Sequence, residues 1–169
     1  EETTRLLRNR HPFVAGSVFS PRRDNRSRGY VCGAEFTRLK ELNPTSRDHI
    51  AWILQTHYGW TPTLMTSKSE KPIIDETVLK DIGTDIALHF LRLLELTKML
   101  GMISEGVNAW QKLVTKSRIH HHCSVATATF RCAHRTPNLG QVPSDERFRR
   151  LFIATPGLRL AAADLSGIE

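Results

Sequence analysis

Two groups of side chains in this sequence have the composition for metal chemistry. The first centres on Asp164, which ends an apolar run, Leu158-Arg159-Leu160-Ala161-Ala162-Ala163. A strand that delivers an aspartate at its end presents hard carboxylate oxygens. These suit Mg²⁺, which keeps several waters and borrows phosphate oxygens from a substrate. Taken alone the signal is weak, because most aspartates after strands are turn residues. The second group is His120-His121-His122-Cys123, followed by Cys132 and His134. On a strand, His120 and His122 share a face, and so do Cys132 and His134. Their spacing fits none of the usual paired-ligand patterns for zinc, so a zinc site is not expected.

The elements that must position these residues divide the chain into three. Residues 1–42 show no clear period. Nine Arg and Lys residues there stand against five acids, and Pro12, Gly16, Pro21 and Gly29 punctuate the segment. It reads either as a solvated, partly disordered arm or as an ordered loop facing nucleic acid. Residues 43–116 read as helical. Thr45 or Ser46 caps a helix starting near Arg47, with Asp48 in its first turn, and Gly59 stops it. Residues 61–72, rich in Thr, Ser and Pro, form a linker, and Asp75 starts a short helix through Val78 and Leu79. Thr84 caps the longest helix, whose stripe is Ile86, Phe90, Leu93, Leu94, Thr97 and Leu100. Ser104 is expected to cap a further helix carrying Val107, Trp110 and Leu113. Such helices suit an antiparallel bundle.

From residue 117 onward the pattern turns to strands. Val125–Phe130 is β-prone. Pro137, Gly140 and Pro143 mark a loop. Residues 147–155 and 158–164 are apolar-rich runs joined by Pro156-Gly157, a hairpin signal, and the second run is buried in character. The fold class is therefore α+β: a helical domain followed by antiparallel strands.

Composition narrows the function. With 24 Lys and Arg against 17 Asp and Glu the chain carries +7, a balance that favours an anionic partner, most commonly nucleic acid. The three cysteines, Cys32, Cys123 and Cys132, are irregularly spaced and give no disulfide framework, which fits a reducing cytoplasm. No apolar run approaches the roughly 20 residues that cross a bilayer, so no membrane partner is expected. The first residues, Glu1-Glu2-Thr3-Thr4, lack an initiator Met and suggest a fragment.

Four signals in order then identify a family resemblance. Asp164-Leu165-Ser166-Gly167-Ile168-Glu169 resembles the D-x-S-x-(I/L)-E motif of family A DNA polymerases. Arg147-Phe148-Arg149-Arg150-Leu151-Phe152-Ile153-Ala154 resembles the family's R-x-R-R-x-F-x-A run, and Pro137-Asn138-Leu139-Gly140-Gln141-Val142-Pro143 its P-N-L-x-(N/Q)-(I/V)-P run. Thr129-Phe130-Arg131 stands where the family has T-G-R. Further back, Asn43-Pro44-Thr45-Ser46-Arg47-Asp48 resembles the start of the thumb helix, and Leu96-Thr97-Lys98 the L-T-K of the long thumb helix. Tyr30–Ala34, Gly59–Thr63, Ser104–Gly106 and Ala109-Trp110 are similar to replicative polymerases of short-tailed phages. The resemblance covers about residues 30–169. Three departures stand out: Phe130 in place of glycine, a shorter stretch between Pro143 and Arg147, and a strand before Thr129 one residue shorter.

The resemblance implies residues 43–116 as a helical thumb and 117–169 as the start of a palm, with residues 1–42 a basic segment, one reading of which is the tail of a thumb insertion that binds a processivity protein. It implies DNA-directed DNA polymerase activity on primer–template DNA and deoxynucleoside triphosphates, with Mg²⁺ as cofactor, in a host bacterial cytoplasm if phage-encoded. Asp164 would hold the metal with the Leu165 carbonyl. Ser166, Gly167 and Glu169 would face the nucleotide, Glu169 narrowing the pocket below the sugar C2′. Arg131 would reach the minor-groove edge of the primer terminus, and Asn138 and Gln141 would contact primer and template. Asn43, Ser46, Arg47, Thr97 and Lys98 would hold backbone phosphates. For each thumb residue, plain capping or a solvated face is nearly as good a reading. The fingers and second metal aspartate of the family lie beyond its motif A, so these 169 residues alone are expected to extend no primer. A non-catalytic basic DNA-binding module, or a decayed polymerase remnant, is the alternative.

Overall fold

The computed structural model describes residues 1–127 and 131–161. They form an α+β arrangement of helices and three two-stranded antiparallel pairs. Two compact units divide the chain, Glu1–Leu100 and Gly101–Glu169. The division falls at residue 100, well before the change at residue 117 expected from sequence. Among the described residues no helix is long and apolar enough to cross a membrane.

Neither sequence reading of residues 1–42 describes what forms there. The segment holds helix α1 (Glu2–Arg10) and strands β1 (Phe13–Phe19) and β2 (Phe36–Glu41), which pair antiparallel. Leu7, Val14 and Leu42 from this segment are fully buried. Three single apolar anchors, far apart in sequence, make no period, so the pattern was invisible while the burial is real. Phe19, Tyr30 and Phe36 pack on one another at ring separations of 5.0–5.9 Å, and the Arg38 guanidinium lies over Phe19. The remaining basic residues stay on the surface.

The helices that follow form where their caps are written. Helix α2 (Arg47–Tyr58) has Ser46 as N-cap and ends at Gly59 in the left-handed conformation, φ 64°. In α3 (Glu76–Ile82) the Asp75 carboxylate accepts the Val78 N–H at 2.8 Å, satisfying a donor that the first turn leaves free. Helix α4 (Asp85–Leu100) is the longest, and the Thr84 hydroxyl accepts from Ala87 N–H. Its stripe, Ile86, Ala87, Phe90, Leu91 and Leu93, is buried, whereas Leu100 is exposed. Helices α1 and α3 pack on α4, and α2 packs on β1. Their apolar faces close over one core with Leu7, Val14, Leu42, Ile50, Ile53, Leu54, Ile74 and Leu79. At about 25 cal/mol per Å² of apolar surface, burying each large side chain contributes about 1.5–3 kcal/mol.

The second unit departs further from expectation. Ser104 does not cap a helix. It lies inside a wide π-helical turn, Gly101–Glu105, closed by Gly106 N–H donating to Gly101 C=O at 3.0 Å. The Lys112 ammonium caps the open carbonyls of Glu105 and Gly106, both at 3.0 Å. Val107 is 91% exposed, and helix α5 spans only Trp110–Leu113. Strands β3 (Val114–Thr115) and β4 (Arg118–Ile119) form a tight hairpin with positive φ at both Lys116 and Ser117. Strand β5 is His122–Ser124 and pairs with β6 (Ala133–Arg135). The β-prone stretch begins outside β5: Val125 is exposed, Thr127 N–H turns back to Val125 C=O, and residues 128–130 lie outside the described residues.

The expected hairpin over 147–164 is absent from the described residues. Arg147 instead enters a short helix, α6 (Glu146–Arg149), capped by Asp145. The Glu146–Arg150 pair at i, i+4 favours helix at that point. Beyond it Ile153, Leu158 and Leu160 are 82%, 68% and 71% exposed, so the described part of the run read as buried, residues 158–161, is exposed. An apolar run becomes an interior strand only where other elements cover both its faces, and the described residues supply no such cover. The unit's own core is small: Trp110 and Phe148 are buried, and the Trp110 ring meets Phe148 and Phe152 edge-on at 5.9 and 5.3 Å.

Candidate nucleic-acid interface

The first unit presents its candidate phosphate contacts at two helix ends. At the start of α2, the Asn43 carboxamide oxygen accepts from Thr45 N–H and Thr45 Oγ1, forming a turn that leads into the helix. Ser46 occupies the N-cap position, yet its hydroxyl makes no capping bond. Arg47 is exposed and forms no ion pair among the described residues. A helix N-terminus carries partial positive charge, and an exposed guanidinium there adds a donor for an oxyanion. Asp48 in the same turn works against this, but its carboxylate is held by Lys71 at 2.5 Å.

At the far end of α4, Thr97 and Lys98 behave differently. The Thr97 hydroxyl donates to the Leu93 carbonyl at 2.8 Å, one turn back on its own helix. Lys98 is exposed and reaches Glu76 at 3.3 Å. An exposed pair of this kind contributes about 0–1 kcal/mol and exchanges readily for another anion.

The second unit holds three more candidates, all exposed. The Arg131 guanidinium has no partner among the described residues, while its backbone carbonyl accepts from Thr127 Oγ1 at 2.8 Å. Asn138 caps a 3₁₀ turn over Leu139–Gln141, its Oδ1 accepting from Gly140 N–H at 3.1 Å. That leaves the carboxamide N–H donors outward. Gln141 closes the same turn. By contrast Arg147 is engaged: Asp145 receives its guanidinium at 3.1 and 2.6 Å. The hydrogen bonds from Arg147 hold the Asp145 carboxyl down at about 2.

Asp164, Leu165, Ser166, Gly167 and Glu169 lie outside the described residues, as does Phe130. Asp164 offers a hard oxygen donor, the type Mg²⁺ takes. A cluster that sequence spacing discounted does form: the ligand atoms of Cys123, Cys132 and His134 lie within 4.8 Å of one another. Pairing of β5 with β6, not sequence separation, brings them together. His120 and His122 are not in that cluster.

Comparison with known proteins bears on the whole arrangement. Residues 32–169 match the sequence profile of DNA polymerase family A. The matched range takes in α2, α4, Arg131, the Asn138–Gln141 turn and the hexapeptide from Asp164 to Glu169. The thermostable DNA polymerase I of Thermus filiformis is 31% identical over 137 residues, covering 76% of this chain and 16% of that protein. The chain thus spans about a sixth of that relative's length. It belongs to DNA polymerase family A.

Proposed function

We propose that this chain is the duplex-gripping and first catalytic part of a DNA-directed DNA polymerase, with a thumb over residues 43–116 and the start of a palm over 117–169. The observation that supports this reading is the family match over residues 32–169, a range that includes Asp164 and Glu169. Primer–template duplex and deoxynucleoside triphosphates are the substrates. Asn43, Ser46, Arg47 and Lys98 hold backbone phosphates, which supply affinity without reading sequence. Arg131 donates to minor-groove acceptors common to all base pairs, and Asn138 and Gln141 donate amide N–H groups beside the primer terminus.

Asp164 and the Leu165 carbonyl would hold Mg²⁺. When bound, the metal supplies activation of the primer 3′-hydroxyl and stabilisation of the leaving pyrophosphate. Glu169 closes the pocket under the incoming sugar. A wall that excludes a hydroxyl by shape alone discriminates modestly, and a charge-assisted hydrogen bond keeps it rigid.

The test uses a polymerase completed with the following palm and fingers segments of a family relative. Asp164→Ala is expected to abolish extension with both ribo- and deoxyribonucleotides. Glu169→Ala is expected to raise the ribo-to-deoxy incorporation ratio by about tenfold to a hundredfold. Extension that survives Asp164→Ala removes the catalytic reading and leaves a basic DNA-binding module. An unchanged sugar ratio in Glu169→Ala removes Glu169 from the sugar pocket.

A further inference from the structure

We propose that Cys123, Cys132 and His134 form a cation site on one face of the β5–β6 hairpin, with Zn²⁺ as the fitting ion and His121 as the fourth donor. The register places them. Cys123 lies directly opposite His134 in the antiparallel pair, and directly opposed residues project from the same face. Cys132 stands immediately before β6, where its ligand atom joins those of Cys123 and His134, and His121 stands immediately before β5.

The distances are close to those of a bound state. The three ligand atoms lie within 4.8 Å of one another. Sulfurs bound to Zn²⁺ at about 2.3 Å and at the tetrahedral angle sit roughly 3.8 Å apart. A contraction of about one ångström, available from side-chain rotation, closes the site. The His121 ring stacks on His134 at a centroid distance of 5.1 Å; it stands beside the three-residue cluster and joins it by side-chain rotation. Two thiolates and two imidazoles are a donor set that selects zinc over the oxygen-loving Mg²⁺.

Two further observations point to a ligand. His134 Nδ1 is the one buried side-chain polar atom without a hydrogen-bond partner among the described residues. Such an atom is costly to leave unpaired unless something occupies it. Second, Cys123 and Cys132 are both free thiols, available as ligands. The site has a structural consequence. Two paired strands of three residues are marginal by themselves, and a metal bridging both strands adds folding free energy. A Cβ at Gly140 would lie 3.1 Å from His134 Cδ2, so the turn bearing Asn138 and Gln141 packs on the ligand ring itself. A bound cation therefore ties the hairpin to that turn.

The experiment titrates Co²⁺, the spectroscopic stand-in for Zn²⁺, into the reduced, chelator-stripped 169-residue chain. One equivalent is expected to give a thiolate-to-cobalt charge-transfer band and tetrahedral d–d bands, both bleached by Zn²⁺. Cys123→Ser, Cys132→Ser and His134→Ala should each weaken binding by more than the roughly 10–100-fold seen on losing an outer-shell group. Cys32→Ser should leave it intact, and circular dichroism should show each variant folded. His121→Ala should lower the d–d intensity; an unchanged spectrum removes His121 from the set. The proposal is overturned by absence of the thiolate band in the folded chain, or by a band that survives both Cys123→Ser and Cys132→Ser. A chain that takes up no Co²⁺ under reductant but oxidises to a Cys123–Cys132 disulfide in air also overturns it.

Discussion

His11, unremarkable in the sequence, shows what spacing cannot reveal at the scale of single residues. Its Nε2 lies 3.0 Å from the Tyr58 hydroxyl, and its ring stacks against His57 at 4.8 Å. Tyr58 is 47 residues away, so no local pattern joins them. Burial, then the neighbouring His57 and Arg10, push the His11 imidazole below its usual 6.5. The sign follows from linkage. Above about 6.5 both folded and unfolded states hold His11 neutral, and its contribution is fully present. As pH falls, the unfolded chain takes up the proton first, so stability declines until pH passes below the depressed folded value. His11→Gln is expected to make the first unit less sensitive to acid as pH falls below about 6.5, in urea unfolding followed by circular dichroism. Equal acid sensitivity of the two proteins would assign the effect to His57 or to carboxylates instead. Thr97 makes the converse point: the motif marks it as a phosphate contact, while its hydroxyl is already bonded to Leu93.

Elements were legible where one residue states a boundary. Asp75, Thr84 and Gly59 each mark the start or stop of a helix, and each does so in the structure. They were illegible where the boundary chemistry is unusual. Lys116 and Ser117 both adopt positive φ in the β3–β4 turn, a conformation ordinarily signalled by Asn-Gly or Asp-Gly. Periodicity misled in the other direction over residues 158–161, where an apolar run stays exposed because burial depends on what covers it. The Asp75 cap gives a quantitative expectation. Asp75→Ala removes the 2.8 Å acceptor of Val78 N–H, in the helix that carries the buried Leu79 against α4. It should cost about 1 kcal/mol in chemical denaturation, and Asp75→Ser should recover most of that. A loss below a few tenths of a kcal/mol would mean that packing of Leu79, and not the cap, fixes the start of α3.

For the molecule as a whole, the sequence made the charge balance and family plain, because both are summed over many residues. The two-unit division was hidden because it depends on which buried side chains meet. The net charge of +7 favours an anionic partner without saying where one would bind. Among the described residues Arg47 and Arg131 are exposed with unpaired guanidinium groups, Lys98 pairs with Glu76 on the surface, and the Thr97 hydroxyl bonds to Leu93. Duplex DNA binding by the folded chain should therefore weaken steeply with salt, since each neutralised phosphate contributes about −0.9 to the log–log slope. Arg47→Ala and Lys98→Ala should each reduce the magnitude of that slope by about 0.9, Arg131→Ala should weaken binding through loss of its minor-groove contact, and all three should act alike on unrelated sequences. Thr97→Val should leave both slope and affinity unchanged, because its hydroxyl already has its partner. Glu76→Gln should tighten binding by releasing Lys98. Fluorescence anisotropy on labelled duplexes across a salt series measures all five variants. A slope unchanged in Arg47→Ala and Lys98→Ala, and an affinity unchanged in Arg131→Ala, with fold intact by circular dichroism, would place the DNA contacts elsewhere on the chain. Binding lost only in Thr97→Val would mean that the hydroxyl turns away from Leu93 to meet phosphate.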